Sequence, residues 1–87
     1  MTDEFQRLAD IWNWLPAFRA VAETEHLPSA SSMIHVSTSA LSRSVNRLED
    51  YLGHTLFDRQ GRSMELNERG ERLLAAVRRA MRGVDDA

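Results

Sequence analysis

A short stretch of the sequence places hydroxyl, amide and guanidinium groups on one side of a helix. Within residues 37–52, four apolar side chains recur at steps of four, three and four and form one stripe: Leu41, Val45, Leu48 and Leu52. The opposite side is left to polar side chains, which are Ser39, Ser42, Arg43, Asn46 and Arg47. Groups of this kind bind phosphate oxygens and base edges in a major groove. The pattern therefore predicts a helix that contacts a nucleic acid duplex.

Local signals mark the start and the end of this helix. Ser37 can cap it, because a serine side chain accepts hydrogen bonds from the exposed amides of the first turn. Those amides also make the helix start a natural place for a phosphate. Gly53 can end the helix in the left-handed conformation. A shorter helix that starts at Pro28 precedes it, and the tight turn between the two predicts a helix-turn-helix.

The segment after this helix predicts a small hairpin, or wing. Residues 56–59 and 64–66 can pair as two short strands across Gln60-Gly61-Arg62, where glycine gives the tip its backbone freedom. Arg59 and Arg62 flank the tip, and an arginine there can enter a narrow, A·T-rich minor groove. Arg59 could instead tie the wing to the body through Asp58 or Glu65, and the sequence leaves both readings open.

A final helix begins after Asn67, which can cap it. Its apolar residues alternate steps of four and three, the period of a coiled-coil seam: Leu66, Gly70, Leu73, Val77, Ala80 and Val84. No partner for this seam is evident within the chain. The predicted fold is mainly α, a winged helix-turn-helix with a three-helix core and a two-stranded wing, followed by a long C-terminal linker helix.

The chain divides into an N-terminal extension (1–12), a winged helix-turn-helix domain (13–66) and a linker or dimerisation helix (67–87). Asn13 is predicted to cap the first core helix with Pro16 in its first turn, where proline costs no hydrogen bond. The apolar side chains predicted to face the core are Leu15, Phe18, Val21 and Ala22. The extension has helical spacing of apolar residues, and it can be a packed helix, a frayed arm or a remnant of expression.

Composition narrows the function classes. The 87 residues suffice for one small domain, and so small a core favours association with another chain. The sequence contains no cysteine, no metal-ligand spacing, no glycine-rich phosphate loop and no apolar run long enough for a membrane span. We therefore expect no enzymatic activity, no bound metal or cofactor and no membrane partner. The net charge of −2 opposes DNA binding at first sight, but all eleven basic residues are arginine and much of the acid lies before residue 26.

Four strings in order resemble the DNA-binding domain of LysR-type transcriptional regulators: AFRAVAE, SALSRSVNRLEDYLG, LFDRQGR and LNERGERLL. The resemblance implies a bacterial, cytoplasmic regulator that binds a pseudo-palindromic promoter site in double-stranded DNA as a homodimer. It implies dimer contacts through Leu73, Val77, Ala80, Met81 and Val84 of the linker helix. A small-molecule effector would bind only through a further domain that these residues do not include, and tetramer formation stays open.

The predicted DNA contacts follow from the pattern and the resemblance together. They are Ser29, Ser37, Thr38, Ser39, Ser42, Arg43, Asn46, Arg47, Arg59 and Arg62. Arg43 is the leading groove contact, whereas Arg47 suits a phosphate or an ion pair with Asp50 or Glu49.

Two departures from the family pattern bear on specificity. Thr38 and Ser39 stand where the family typically has glutamine and proline, which weakens base preference there, and Glu25-His26 replaces the usual glycine-serine entry to the second helix. The alternative function is a winged-helix protein-interaction or dimerisation module without strong DNA binding.

Overall fold

The computed structural model describes residues 3–61 and 63–87, which form four helices and one two-stranded antiparallel sheet. The elements are α1 (Asp3–Thr24), α2 (Leu27–Ile34), α3 (Thr38–Leu52), β1 (Phe57–Gln60), β2 (Ser63–Leu66) and α4 (Glu68–Asp86). This order confirms the predicted winged helix-turn-helix with its long C-terminal helix. Among the described residues, no helix has the length and apolar character needed to cross a membrane.

The core lies between α1, α3 and the wing, and it fixes which side of α3 faces outward. Leu41, Val45 and Leu48 of α3 are at most 1% exposed, as the apolar stripe predicts. Phe18 of α1 packs on Phe57 of β1, with ring centroids 5.7 Å apart at an angle of 55°. Burial of side chains of this size stabilises the fold by about 1.5–3 kcal/mol each. The polar side of α3 therefore has to point away from the core.

Capping interactions start three helices. The Ser37 Oγ accepts from the Ala40 amide (3.2 Å), and the Asn67 Oδ1 accepts from the Gly70 amide (2.8 Å), so both predicted caps are confirmed. Gly53 ends α3 with φ +82°, also as predicted. At the start of α2 the cap is His26, whose Nδ1 accepts from the Ser29 amide (3.4 Å). The sequence reasoning missed this role of His26.

The predicted helix start at Asn13 is wrong, because α1 runs without a break from Asp3 to Thr24. Pro16 consequently lies inside the helix and not in its first turn. The extra turns are held against the end of α3. The Arg7 guanidinium lies 5.6 Å from the centre of the Tyr51 ring and donates to its hydroxyl, and the Trp14 ring lies 5.8 Å from the same ring.

The wing strands lie close to their predicted positions, with β1 shifted by one residue and β2 longer by one. Phe57 pairs with Leu66 and Arg59 with Met64. A second contact fixes the wing to the turn between α1 and α2, where the Glu25 carbonyl oxygen accepts from the Met64 amide (3.1 Å) and its carboxylate accepts from the Leu66 amide (2.8 Å). The wing is thus anchored to the body along the outer edge of β2.

Helix α4 packs on the body through its first half. Gly70 and Val77 are buried and Leu66 and Leu73 pack against the core, so the prediction that the seam lacks a partner within the chain is wrong for these four residues. Further along α4, the seam residues Ala80 and Val84 are exposed, and so is their neighbour Met81. Near the start of α4, a Cβ added to Gly70 would lie 2.2 Å from the Leu56 carbonyl oxygen. The approach of α4 to the wing thus requires glycine at this position.

Candidate nucleic-acid interface

The outer face of α3 is an exposed polar ridge, defined here as Ser39, Arg43, Asn46 and Arg47. It lies opposite the buried stripe, and Ser42 lies half-buried at its edge. Two guanidinium groups, an amide and a hydroxyl are therefore presented together by one rigid helix. A helix of this diameter fits a major groove, and a donor-rich ridge suits phosphate oxygens and guanine edges.

Hydroxyls and backbone amides cluster where α3 begins. Ser37 and Thr38 are exposed there, and the Ser37 Oγ lies 3.4 Å from the Ser39 Oγ in addition to capping the helix. Ser29 is exposed on α2, but its Oγ lies 2.8 Å from the His26 Nδ1. Its hydroxyl is therefore already engaged within the chain, although a hydroxyl can make a further hydrogen bond.

Arg59 points from the wing to α3. Its Nη2 donates to the Asn46 Oδ1 (2.7 Å) and to the Glu49 Oε1 (2.8 Å). The reading in which Arg59 ties the wing to the body has the right geometry, but the predicted partners Asp58 and Glu65 are wrong. An ion pair of Arg47 with Glu49 is also not formed, because Arg59 holds that carboxylate.

Glu49 is a structural residue, whereas the sequence suggested it only as an ion-pair partner of Arg47. Its side chain is only 10% exposed, and its second oxygen accepts from the Leu56 amide (2.7 Å). The carboxylate thus joins α3, the segment before β1 and Arg59 of the wing. A signal was available, since Glu49 follows Val45 by four residues and precedes Leu52 by three, and so borders the apolar stripe.

The wing tip turns at Gly61, which has φ +62°. Arg62, the predicted minor-groove contact, lies outside the described residues. Its role stays a prediction that rests on its place beside the tip. Arg59 is 36% exposed on its side chain, and its hydrogen bonds direct it toward α3.

A second surface of note is an apolar groove of about 500 Å³ on the side formed by α1, α2 and α4. The side chains that line it include Trp12, Leu15, Met33, Ile34, Val77 and Met81. Trp12, Met33 and Met81 are between 36% and 55% exposed, so three large apolar side chains of the groove reach solvent.

At one edge of the groove, Glu23 of α1 binds Arg78 of α4 and lies 3.5 Å from Arg19. Hydrogen bonding from Arg78 holds the pKa of Glu23 below its usual value, although partial burial opposes this shift. The ion pair fixes α4 against α1 beside the groove.

The order of elements, the inward stripe and the polar ridge define a winged helix-turn-helix protein of the nucleic-acid-binding kind. The sequence profile of "Bacterial regulatory helix-turn-helix protein, lysR family" matches residues 12–71. The chain belongs to the LysR family.

Individual relatives agree with this assignment. The "Uncharacterized HTH-type transcriptional regulator YybE" of Bacillus subtilis (strain 168) is 42% identical over 71 residues, which are 82% of this chain and 24% of YybE. The structure of the CbnR_DBD–DNA complex is similar with a TM-score of 0.78 at 32% identity, covering 85% of each chain. That of the BenM_DBD/benA site 1 DNA complex has a TM-score of 0.78 at 26% identity, covering 85% of this chain and 83% of that one. The chain spans about a quarter of the length of YybE.

Proposed function

We propose that this chain is the sequence-specific DNA-binding domain of a LysR-family transcriptional regulator. Helix α3 enters the major groove with Arg43 toward a base edge, while Arg47 and the start of α3 bind phosphates. The observation that carries the proposal is the exposed ridge of α3, held outward by a buried stripe on the opposite side. Structures of similar domains, CbnR_DBD and BenM_DBD, were obtained with DNA, which supports this reading.

Charge distribution is compatible with this function despite the net negative sum. The ridge presents Arg43 and Arg47, whereas Glu49 is paired within the chain and leaves Asp50 as the exposed acid beside them. Arginine is suited to bidentate contacts with phosphate and guanine. A monomer with so few cations facing DNA should bind modestly, and a symmetric pair would double the number of contacts.

The first experiment is selection of bound sites from random duplexes, followed by a salt titration on the selected site. Arg43→Ala should weaken binding to that site by about 1–3 kcal/mol and blur the preference at one base pair. Arg79→Ala on α4 removes the same charge away from the ridge and serves as the control. An equal loss on random DNA would show that Arg43 contacts only phosphate. Absence of both sequence enrichment and a steep salt slope would favour the protein-interaction module.

The dimer belongs to the same proposal. A second copy covers the apolar groove and the exposed end of α4, and the two α3 helices face successive half-sites of a pseudo-palindrome. Ala80, Met81 and Val84 supply the contacts between copies, while Leu73 and Val77 mainly support α4 from inside the chain. In the proposed division, residues 13–66 read the DNA and residues 67–87 form the dimerisation helix, while residues 3–12 continue α1 and so belong to the same folded unit. We also propose that the protein acts in the cytoplasm, where bacterial DNA lies.

Sedimentation of exposed-site variants tests the dimer without disturbing the core. Met81→Asp together with Val84→Asp should lower the mass to that of a monomer, because two charges would be buried in the interface. Ala75→Asp, on the opposite side of α4, is exposed and should leave the mass unchanged. A dimer that persists in the double variant would contradict this interface.

A further inference from the structure

Arg59 determines how one side chain of the ridge faces a ligand. An arginine guanidinium can only donate hydrogen bonds, so the atom that it meets on Asn46 at 2.7 Å has to be the oxygen of the amide. The nitrogen of the Asn46 amide, with its two N–H groups, is then the atom that does not bind Arg59. The orientation of this amide is thus set by the wing and not by the helix on which it lies.

This orientation matters because asparagine reads adenine through both atoms of its amide. The nitrogen donates to adenine N7 while the oxygen accepts from the adenine amino group. In this structure the oxygen already accepts from a cation. A carbonyl oxygen has a second lone pair, but a donor on DNA would approach it beside the N–H groups and the positive charge of Arg59.

The same contact favours acceptors on the ligand. The Arg59 guanidinium polarises the amide through its hydrogen bond to the amide oxygen, although its own charge is balanced by Glu49. Guanine presents two acceptors, N7 and O6, on its major-groove edge, whereas adenine pairs an acceptor with a donor. Asn46 lies on the exposed ridge, one helical turn after Ser42 and beside the wing, where it can reach such an edge.

Arg59 is itself fixed by a second partner. The Glu49 Oε1 accepts from the same Nη2 at 2.8 Å, and Glu49 is anchored on the Leu56 amide. The chain of contacts therefore runs from buried backbone through a carboxylate and a guanidinium to an exposed amide. Each of these hydrogen bonds has at least one ionised partner, and such charge-assisted hydrogen bonds are stronger than neutral ones.

We propose that Asn46 acts toward DNA as a donor held in place by Arg59 and selects a guanine edge, with Arg59 a positioning residue and not a groove contact. The inference rests on the proposed DNA-binding function. It identifies the base class that one ridge position reads and excludes the adenine contact that an unconstrained asparagine makes.

Site selection with Asn46→Asp tests the donor. The carboxylate still accepts from Arg59, but it replaces the outward N–H groups by a second acceptor. We expect guanine at one base pair in the sites selected by the wild-type protein, and a loss of about tenfold or more on that site for the variant, with cytosine preferred there instead. Adenine selected at that pair by the wild-type protein would overturn the proposal. An equal loss on random DNA would also overturn it, because Asn46 would then contact phosphate.

Arg59→Met tests the positioning role. Removal of the guanidinium frees the amide oxygen of Asn46. The guanine preference at the base pair read by Asn46 should therefore relax toward adenine, while the preferences at other base pairs persist. Uniform loss of binding in a variant with an unchanged circular dichroism spectrum would show that Arg59 contacts DNA itself and would overturn that part. Replacing the guanine by 7-deazaguanine gives a readout without any mutation, and an unchanged affinity would count against a contact with N7. If the selected sites still show a preference at the base pair read by Arg43, the proposed DNA-binding function stands, whatever the result at the base pair read by Asn46.

Discussion

Replacement of Gly70 by alanine measures how closely α4 approaches the wing. The added Cβ would lie 2.2 Å from the Leu56 carbonyl oxygen and 2.7 Å from the Leu66 Cδ2. Leu66 can change rotamer, but the carbonyl belongs to the backbone and accepts from the Asn67 amide (3.0 Å). A shift of about 0.8 Å is needed to reach an acceptable 3.0 Å separation, and it would disturb the cap of α4 at its first turn.

The expected loss in unfolding free energy is about 2 kcal/mol. Overpacking costs about 1–3 kcal/mol and a weakened cap about 1 kcal/mol, while the better helix propensity of alanine returns about 1 kcal/mol. In a domain of this size such a loss lowers Tm by roughly 10 °C. The measurement is urea and thermal unfolding by circular dichroism at one fixed protein concentration, because a dimer would make the midpoint concentration-dependent.

Gly83→Ala is the matched control in the same helix. A Cβ there would have no neighbour within 4 Å, so alanine should be neutral or stabilise by about 0.5 kcal/mol. If Gly70→Ala proves as benign as Gly83→Ala, the close approach of α4 to the wing is not rigid and the reasoning fails.

Two further predictions concern carboxylates. Glu49→Ala should cost about 1–3 kcal/mol of unfolding free energy, because the Leu56 amide loses its acceptor, and Glu49→Gln should cost less since it keeps one oxygen; equal losses in urea unfolding would assign the effect to the pair with Arg59 instead. Glu23 has a lowered pKa through Arg78, so it stabilises the fold above the ordinary pKa of glutamate, and this contribution is lost as pH falls through the lowered value. Thermal unfolding of the wild type and Glu23→Gln should therefore converge in acid, and a gap that stays constant to the lowest pH would contradict the role of this ion pair.

Features of the fold that depend on a few neighbouring residues could be predicted from the sequence. Ser37, Gly53 and Asn67 act within one helical turn, and the stripe of α3 repeats over its whole length, so their roles follow from local rules. The polar ridge of the candidate site could be predicted from the same stripe, because the side chains of α3 opposite the buried stripe have to face solvent.

Contacts between distant parts of the chain could not be predicted from the sequence. The predicted start at Asn13 failed because α1 is continued by contacts of Arg7 with Tyr51, 44 residues away. The role of Glu49 depends on where Leu56 and Arg59 lie in three dimensions, and a glutamate near a helix end ordinarily faces water. The same holds for the orientation of Asn46, since an amide has no preferred direction until its partner is known.

The unbroken course of α1 has a mechanical consequence. A helix of 22 residues is about 33 Å long, and this one touches the end of α3 through Arg7 and the side of α4 through Glu23. Helix α1 thus connects the helix proposed to read a duplex with the helix proposed to pair two subunits. A displacement of α4 would therefore reach α3 through α1, and in the proposed dimer it would change the spacing between the two α3 helices.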